Sequence, residues 1–269
     1  AATAIGFGSI GSTASTAVGA ISFADVNGVS VGATSVASVN ATALGFQSQA
    51  MGTSSLAAGD SAMAGGEFST ALGFESSSSG RASTAVGANA SAEGVRSIAI
   101  GNASMATGSN SIAMGRGAVA SGGDAIAIGG NRDDTGGRIT RASGASTTVV
   151  GGQAQAIGAG ATAFGWRSEA NAERATALGH LATAQGIRSL AVGENADAQS
   201  DFSTAIGNES VANGIDALAI GDSAAANGNS TTSVGGESVA TGPGATAYGW
   251  RSEANGERAT ALGHIASAT

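Results

Sequence analysis

Glycine returns in this chain at a fixed interval, and that interval constrains the fold more than any other feature. A pentad of the form small-x-small-x-Gly appears as STAVG (Ser15–Gly19), ATALG (Ala41–Gly45), STALG (Ser69–Gly73), SIAIG (Ser97–Gly101) and SIAMG (Ser111–Gly115). From Gly45 its last residue falls on every fourteenth position, through Gly59, Gly73, Gly87, Gly101 and Gly115 to Gly129. The series resumes at Gly151 and runs at the same spacing to Gly263, while Gly6, Gly19, Gly32 and Gly45 are thirteen apart. Nineteen pentads therefore tile the 269 residues. A helix needs apolar spacing of three and four, and each interior glycine would cost it about 1 kcal/mol. With the pentad as positions 1 to 5, a second glycine commonly occupies position 12, as in Gly52, Gly94, Gly186 and Gly256. Two glycines half a period apart predict two turns, and the alternating stretches between them predict two short strands. One repeat is thus one two-stranded coil of an all-β solenoid.

Alternation assigns the faces. Positions 1 and 3 are almost always Ser, Ala or Thr, and positions 8 and 10 are Ala or Ser in the regular coils, as in Ser210 and Ala212. Small residues on one face of both strands predict that those faces meet closely, in a flattened roll. The composition agrees: aromatics are only 4% although 42% of residues count as apolar, so the interior is thin and built from alanine. Position 4 carries a bulky column that includes Ile100, Met114, Ile128, Val150, Phe164, Leu178, Val192, Ile206, Ile220, Tyr248 and Leu262, broken only by Ala58. Position 2 is Thr in twelve coils and Val, Leu or Ile in the other seven. Outward positions 9 and 11 of the second strand are mixed and wetter, as in Glu169 with Asn171 and Met105 with Thr107, so that sheet is expected to face solvent. At ~4.8 Å per coil the roll would extend about 90 Å. Such an apolar stripe exceeds what a soluble monomer exposes, so the column at position 4 is expected to be an oligomer interface with coils in register.

Composition excludes several function classes. No apolar run approaches the ~18 residues of a membrane span. There is no cysteine, hence no disulfide framework. The formal charge is −8 and all eleven basic residues are arginine, a poor balance for gripping a phosphate backbone. GFGSIG (Gly6–Gly11) fits a dinucleotide fingerprint only by chance, because no helix follows it. Calcium-type DxD repeats are absent, and the Asn-x-Thr triplets at Asn40 and Asn229 are expected by chance in so Ser- and Thr-rich a chain.

Segments such as NSIAMG (Asn110–Gly115), SIAIG (Ser97–Gly101) and STAIG (Ser203–Gly207), on a 14-residue period, resemble the YadA-like head repeat of trimeric autotransporter adhesins. The resemblance covers nearly the whole chain. It implies a left-handed parallel β-roll, three chains around one axis with the apolar sheet facing that axis, and a Gram-negative cell surface. It also implies attachment to host matrix proteins, other cells or abiotic surfaces, without enzymatic activity, cofactor or metal. The family's neck, coiled-coil stalk and membrane anchor have no counterpart in residues 1–269, which read as a single head domain with 13-residue coils over residues 1–45. A leading Asn of the repeat is often replaced, and Thr dominates position 2 where Val is usual in the family. An ice-binding solenoid is the alternative reading, motivated by the Thr column and opposed by Phe164 and Tyr248 beside it.

Three features stand out as candidate sites. GWRSEANAERATALGH (Gly165–His180) recurs as GWRSEANGERATALGH (Gly249–His264), with Ala172 against Gly256 as the single change. The copies lie 84 residues apart, six repeats, so Trp166, Arg167 and Glu169 share coil phase with Trp250, Arg251 and Glu253. They form either an edge that closes the roll or an exposed patch for a ligand. His180 and His264 are the only histidines, and no carboxylate recurs near them at metal-ligand spacing. Third, Gly129 and Gly151 are 22 apart, an excess of eight over the period. The stretch 130–144 holds Arg132, Asp133, Asp134, Arg138 and Arg141, the densest charge cluster in the chain, and is expected to be a loop that binds a ligand or clamps a neighbouring subunit.

Overall fold

The computed structural model describes residues 1–131 and 137–269, in two compact units, Ala1–Asn131 and Arg132–Thr269. Each is a stack of two-stranded coils, and no helix occurs among the described residues. In the first unit, three-residue strands run from Thr3–Ile5 to Ile126–Ile128, alternating with two-residue strands from Ile10–Gly11 to Val119–Ala120. In the second, two-residue strands run from Arg141–Ala142 to Ser267–Ala268 and three-residue strands from Thr148–Val150 to Thr260–Leu262. Strands of one kind pair in parallel with their counterparts one coil away, one repeat in register: Thr204 opposes Leu218, Ala205 opposes Ala219, and Ile206 opposes Ile220. Thirteen-residue coils keep the same phase, with Thr3 against Thr16, Thr16 against Val29 and Val29 against Thr42. The architecture is a parallel β-solenoid.

Alanine makes this possible. Position 3 points inward and is fully buried, as in Ala71, Ala85, Ala205 and Ala219, and so are positions 8 and 10, as in Ala182 and Ala184. The largest fully buried side chains are Gln153, Val149 and Thr140, so the interior holds little beyond a methyl or hydroxymethyl group per position. Where serine replaces alanine at position 3 or 10 in Ser30, Ser78 and Ser233, its hydroxyl finds a partner across the roll, Ser35 at 2.7 Å, Ser83 at 2.8 Å and Ser238 at 2.8 Å, whereas the buried hydroxyls of Ser55, Ser69, Ser97 and Ser189 at position 1 have no partner among the described residues. The paired hydroxyls avoid the ~1–3 kcal/mol penalty of an unsatisfied buried group.

Both turns use the same device. Ser210 at position 8 donates its Oγ to the carbonyl of Gly207 at 3.0 Å, and Ser203 at position 1 donates to the carbonyl of Ser200 at 2.6 Å. Each turn also places one residue in the left-handed region, Glu209 (φ 54°) in the first and Asp216 (φ 55°) in the second. At position 5 the demand is stricter. Gly207 has φ 135°, and a Cβ there would lie 2.2 Å from the carbonyl oxygen of Gly221 in the next coil. This is why the pentad ends on glycine. The 13-residue coils lack the second glycine: Ala37 and Ala41 are separated by three residues, whereas Ala50 and Ser55 are separated by four, the added one being Gly52. Met51 and Gly52 both donate to the carbonyl of Ala64, so the longer coil carries a small bulge.

The excess between Gly129 and Gly151 is narrower than 130–144. Asn131 still donates to the carbonyl of Arg116, as position 7 does in other coils. Thr140 and Ala142 are already buried like positions 8 and 10, and Arg141 belongs to the strand Arg141–Ala142, which pairs with Gln155–Ala156. Coil phase therefore holds through Asn131 and is restored at Thr140, and the eight extra residues of the sequence fall between them. Of the charges expected on a loop, Arg132, Asp133 and Asp134 lie outside the described residues, and Arg141 is on the sheet instead, because its neighbours' small side chains lock it into coil phase.

Candidate functional site

The outward face of the three-residue strands is apolar in both units. Register places Ile100 beside Met114 and Met114 beside Ile128 in the first unit. In the second it joins Val150, Phe164, Leu178, Val192, Ile206 and Ile220 into one continuous ladder, followed by Val234, Tyr248 and Leu262. These side chains are not covered within the chain. Ile100, Met114 and Ile128 are 37–38% exposed, Phe164 41% and Tyr248 54%, and the remaining members are half-buried against their ladder neighbours except Leu262, which is exposed. Position 2 beside them is half-buried Thr or aliphatic in most coils. The second sheet differs between units. In the first it shows Ile10, Phe23, Met63, Met105 and Val119, more apolar than a wet face requires; in the second it shows Glu169, Thr183, Asp197 and Glu253.

The duplicated segment builds a stack along one edge. Trp166 and His180 occupy the same position of successive coils, and their rings stack at 4.9 Å with an interplanar angle of 12°. Arg167 lies 4.4 Å from the indole centroid and donates its Nε to Gln153 Oε1 of the preceding coil at 2.8 Å. The indole is flanked by a guanidinium reaching back one coil and an imidazole coming from the coil ahead. Glu194 then meets His180 Nδ1 at 3.3 Å. Beneath the stack, buried Gln153 donates its backbone N–H to Thr140 Oγ1, and Thr140 donates to the carbonyl of Gly151. Trp250 repeats the motif, with Arg251 at 4.3 Å, His264 stacked at 4.8 Å and 21°, and Arg251 Nε donating to Glu237 Oε2 at 2.6 Å. A Cβ on Gly236, one coil earlier, would sit 3.3 Å from Trp250 Cδ1, so the indole lies over a glycine.

Each indole has a guanidinium over it and an imidazole stacked on it, while Trp250 stays 39% exposed. Arg167 and Arg251 sit in turns, in the left-handed region, and not on a strand. Glu169 pairs with Arg138 from the end of the insertion and accepts a hydrogen bond from Asn171 Nδ2, while Glu253 is exposed. Gln155 Nε2 also reaches the carbonyl of Ile139, so residues 138–139 are held over the second sheet of their own unit. Sequence reasoning placed Trp166 and His180 in one coil phase without joining them; the shared 14-residue offset is the signal that identifies the stack. Among the described residues no group of three or more His, Asp or Glu is placed to hold a metal ion, and no helix is long and apolar enough to cross a membrane.

A parallel β-solenoid whose units each carry an apolar sheet face defines a class of repeat proteins that present long surfaces. The family model described as the YadA head domain repeat matches residues 52–76, 78–104 and 106–131, then overlapping stretches over 142–210 and 212–269. The chain therefore belongs to the YadA head domain repeat family. Among solved structures it is similar to the collagen-binding domain of the Yersinia adhesin YadA, at 24% identity over 70% of this chain and 69% of that one, with a TM-score of 0.22. No curated protein matches the chain.

Proposed function

We propose that this chain is the head of a bacterial cell-surface adhesin, assembled as a homotrimer with its apolar sheets facing a threefold axis. Membership of the YadA head repeat family supports the adhesin-type function. The observation that carries the trimer is the ladder Val150–Phe164–Leu178–Val192–Ile206–Ile220, contiguous by register and left uncovered by its own chain. Full burial of each such side chain contributes ~1.5–3 kcal/mol, and the column repeats it coil after coil. On this reading the head belongs to a trimeric autotransporter on a Gram-negative outer membrane, and attachment is distributed over many coils of the trimer surface. Its targets are matrix proteins, other cells or abiotic surfaces. Pairing of Arg138 with Glu169 supports a fastening role for the end of the insertion. Light scattering should return three times the chain mass, and immobilised trimer should retain at least one of collagen, fibronectin, laminin and plastic. A stable monomer that adheres as well as the trimer overturns the proposal.

A further inference from the structure

The single difference within the duplicated segment places two chemically distinct dipeptides in one structural setting, Asn171-Ala172 and Asn255-Gly256. Both asparagines follow a two-residue strand, Glu169–Ala170 or Glu253–Ala254, at position 11. Asn255 is exposed. Its Oδ1 accepts a hydrogen bond from Thr241 Oγ1 at 2.9 Å, which draws electron density from Cγ and leaves that carbon more electrophilic. Among the described residues the N–H of Gly256 has no hydrogen-bond acceptor. In the first unit the equivalent N–H groups of Gly52, Gly66, Gly80 and Gly94 are held by the carbonyls of Ala64, Ser78, Ala92 and Ala106. Asn171, by contrast, is half-buried, its amide nitrogen is held by Glu169, and the next residue carries a Cβ that crowds its nitrogen.

We infer that Asn255 is a site of spontaneous succinimide formation and deamidation, with Asn213-Gly214 and Asn227-Gly228 as further sites in the same column. Gly256 nitrogen, giving up its proton to hydroxide, attacks Cγ of Asn255. The new C–N bond closes a five-membered imide, the bond from Cγ to Nδ2 breaks, and the leaving nitrogen takes a proton from water to depart as ammonia, which restores the hydroxide. Water then adds to one imide carbonyl and reopens the ring as aspartate or as β-linked isoaspartate, so each event takes up one water and releases one ammonia. Asn213 and Asn227 are likewise exposed, and the N–H groups of Gly214 and Gly228 likewise have no acceptor among the described residues. Asn27-Gly28 is the counterexample: Gly28 is buried and donates to the carbonyl of Asp25 at 2.7 Å, so its nitrogen is occupied. Each conversion adds a carboxylate to the second sheet's rim, beside Glu253 in the case of Asn255. The outer face of the second unit would therefore grow more acidic with age.

The test is peptide mass spectrometry of the folded chain after incubation in mildly alkaline buffer, with enzymatic labelling of isoaspartate. Conversion of Asn255 is expected to be at least about tenfold faster than that of Asn171, since glycine alone leaves its nitrogen unshielded by a Cβ. Asn213 and Asn227 should convert as well, and Asn27 no faster than Asn171. Ala172→Gly adds no atoms to the fold and should bring Asn171 towards the rate of Asn255; Thr241→Val should slow Asn255 severalfold. Equal rates at Asn171 and Asn255, or conversion of Asn255 only in denaturant-unfolded chain, would overturn the assignment. An unchanged rate in Thr241→Val would remove Thr241 from it.

Discussion

Individual residues in this roll are constrained by what lies one coil away. Gly207 and Gly160 make the contrast measurable. At Gly207 the backbone is at φ 135° and a Cβ would meet the Gly221 carbonyl at 2.2 Å, so Gly207→Ala must strain the chain and push two coils apart. A residue forced into such a glycine-only region costs about 1–3 kcal/mol before the clash is counted. Gly160 has φ 68°, a region that Ser146 and Arg174 occupy at the equivalent turn, and its Cβ would only touch Arg174 Cγ at 3.4 Å. Gly160→Ala is expected to cost about 1–2 kcal/mol, less than Gly207→Ala because no backbone clash is added, and urea denaturation of the two variants tests the ranking. The tryptophan edge belongs to the same scale. Trp166 is held by one stacked ring and one cation, contacts worth roughly 0.5–1.5 and 0.5–1 kcal/mol. Trp166→Ala should therefore lower stability by about 1–2 kcal/mol. If the edge only closes the roll, attachment to surfaces should be retained within about twofold. A large loss of attachment without loss of stability would assign the edge to binding.

The coil is the structural element, and it behaves as an interchangeable unit when its residues keep phase. Deleting Gly207–Ile220 joins Ile206 to Gly221, both in their proper positions, and removes one whole coil. In a solenoid stability is close to a sum of repeat and neighbour terms, so this variant should keep a cooperative transition and a parallel-sheet circular dichroism spectrum. Deleting Gly207–Asn213, half a coil, sets a first turn against a second and should abolish that transition. Phase also explains what was legible in the sequence. Alternation of Ala with bulkier residues gave the inner and outer faces, and glycine spacing gave the coil and its 13-residue variants. The limits of the insertion were hidden, because a spacing of 22 reports eight extra residues but not which eight; only burial of Thr140 and Ala142 shows where phase returns. The second strand proved shorter than alternation suggests, with position 11 already outside it, as at Asn171 and Asn255. Contacts such as Arg138 with Glu169, 31 residues apart and in different coil phases, leave no periodic trace.

At the scale of the whole molecule the question is which sheet would meet another chain in the proposed trimer. The ladder on the three-residue strands and the face of the two-residue strands offer matched sites for the test. Ile206 and Ile220 are adjacent on the first, and Val211 and Val239 lie on the second, all four half-buried in the single chain. If the first sheet faces a threefold axis, Ile206→Asp places three carboxylates in one apolar layer, and none of them has a cationic partner in that column. The lost burial of each Ile is ~1.5–3 kcal/mol, and the desolvated like charges add to it in every protomer. The double variant Ile206→Asp/Ile220→Asp should then run as a monomer at micromolar concentration, and its melting temperature should no longer rise with concentration as that of an oligomer does. Val211→Asp/Val239→Asp carries the same added charge on the other sheet and should keep the mass and melting behaviour of the parent. Light scattering distinguishes the two outcomes directly. Retained assembly in the first variant together with its loss in the second would place the interface on the second sheet. Attachment measured on the same proteins closes the argument: a surface distributed over three chains loses it with the trimer, whereas a site confined to one chain keeps it in the monomer.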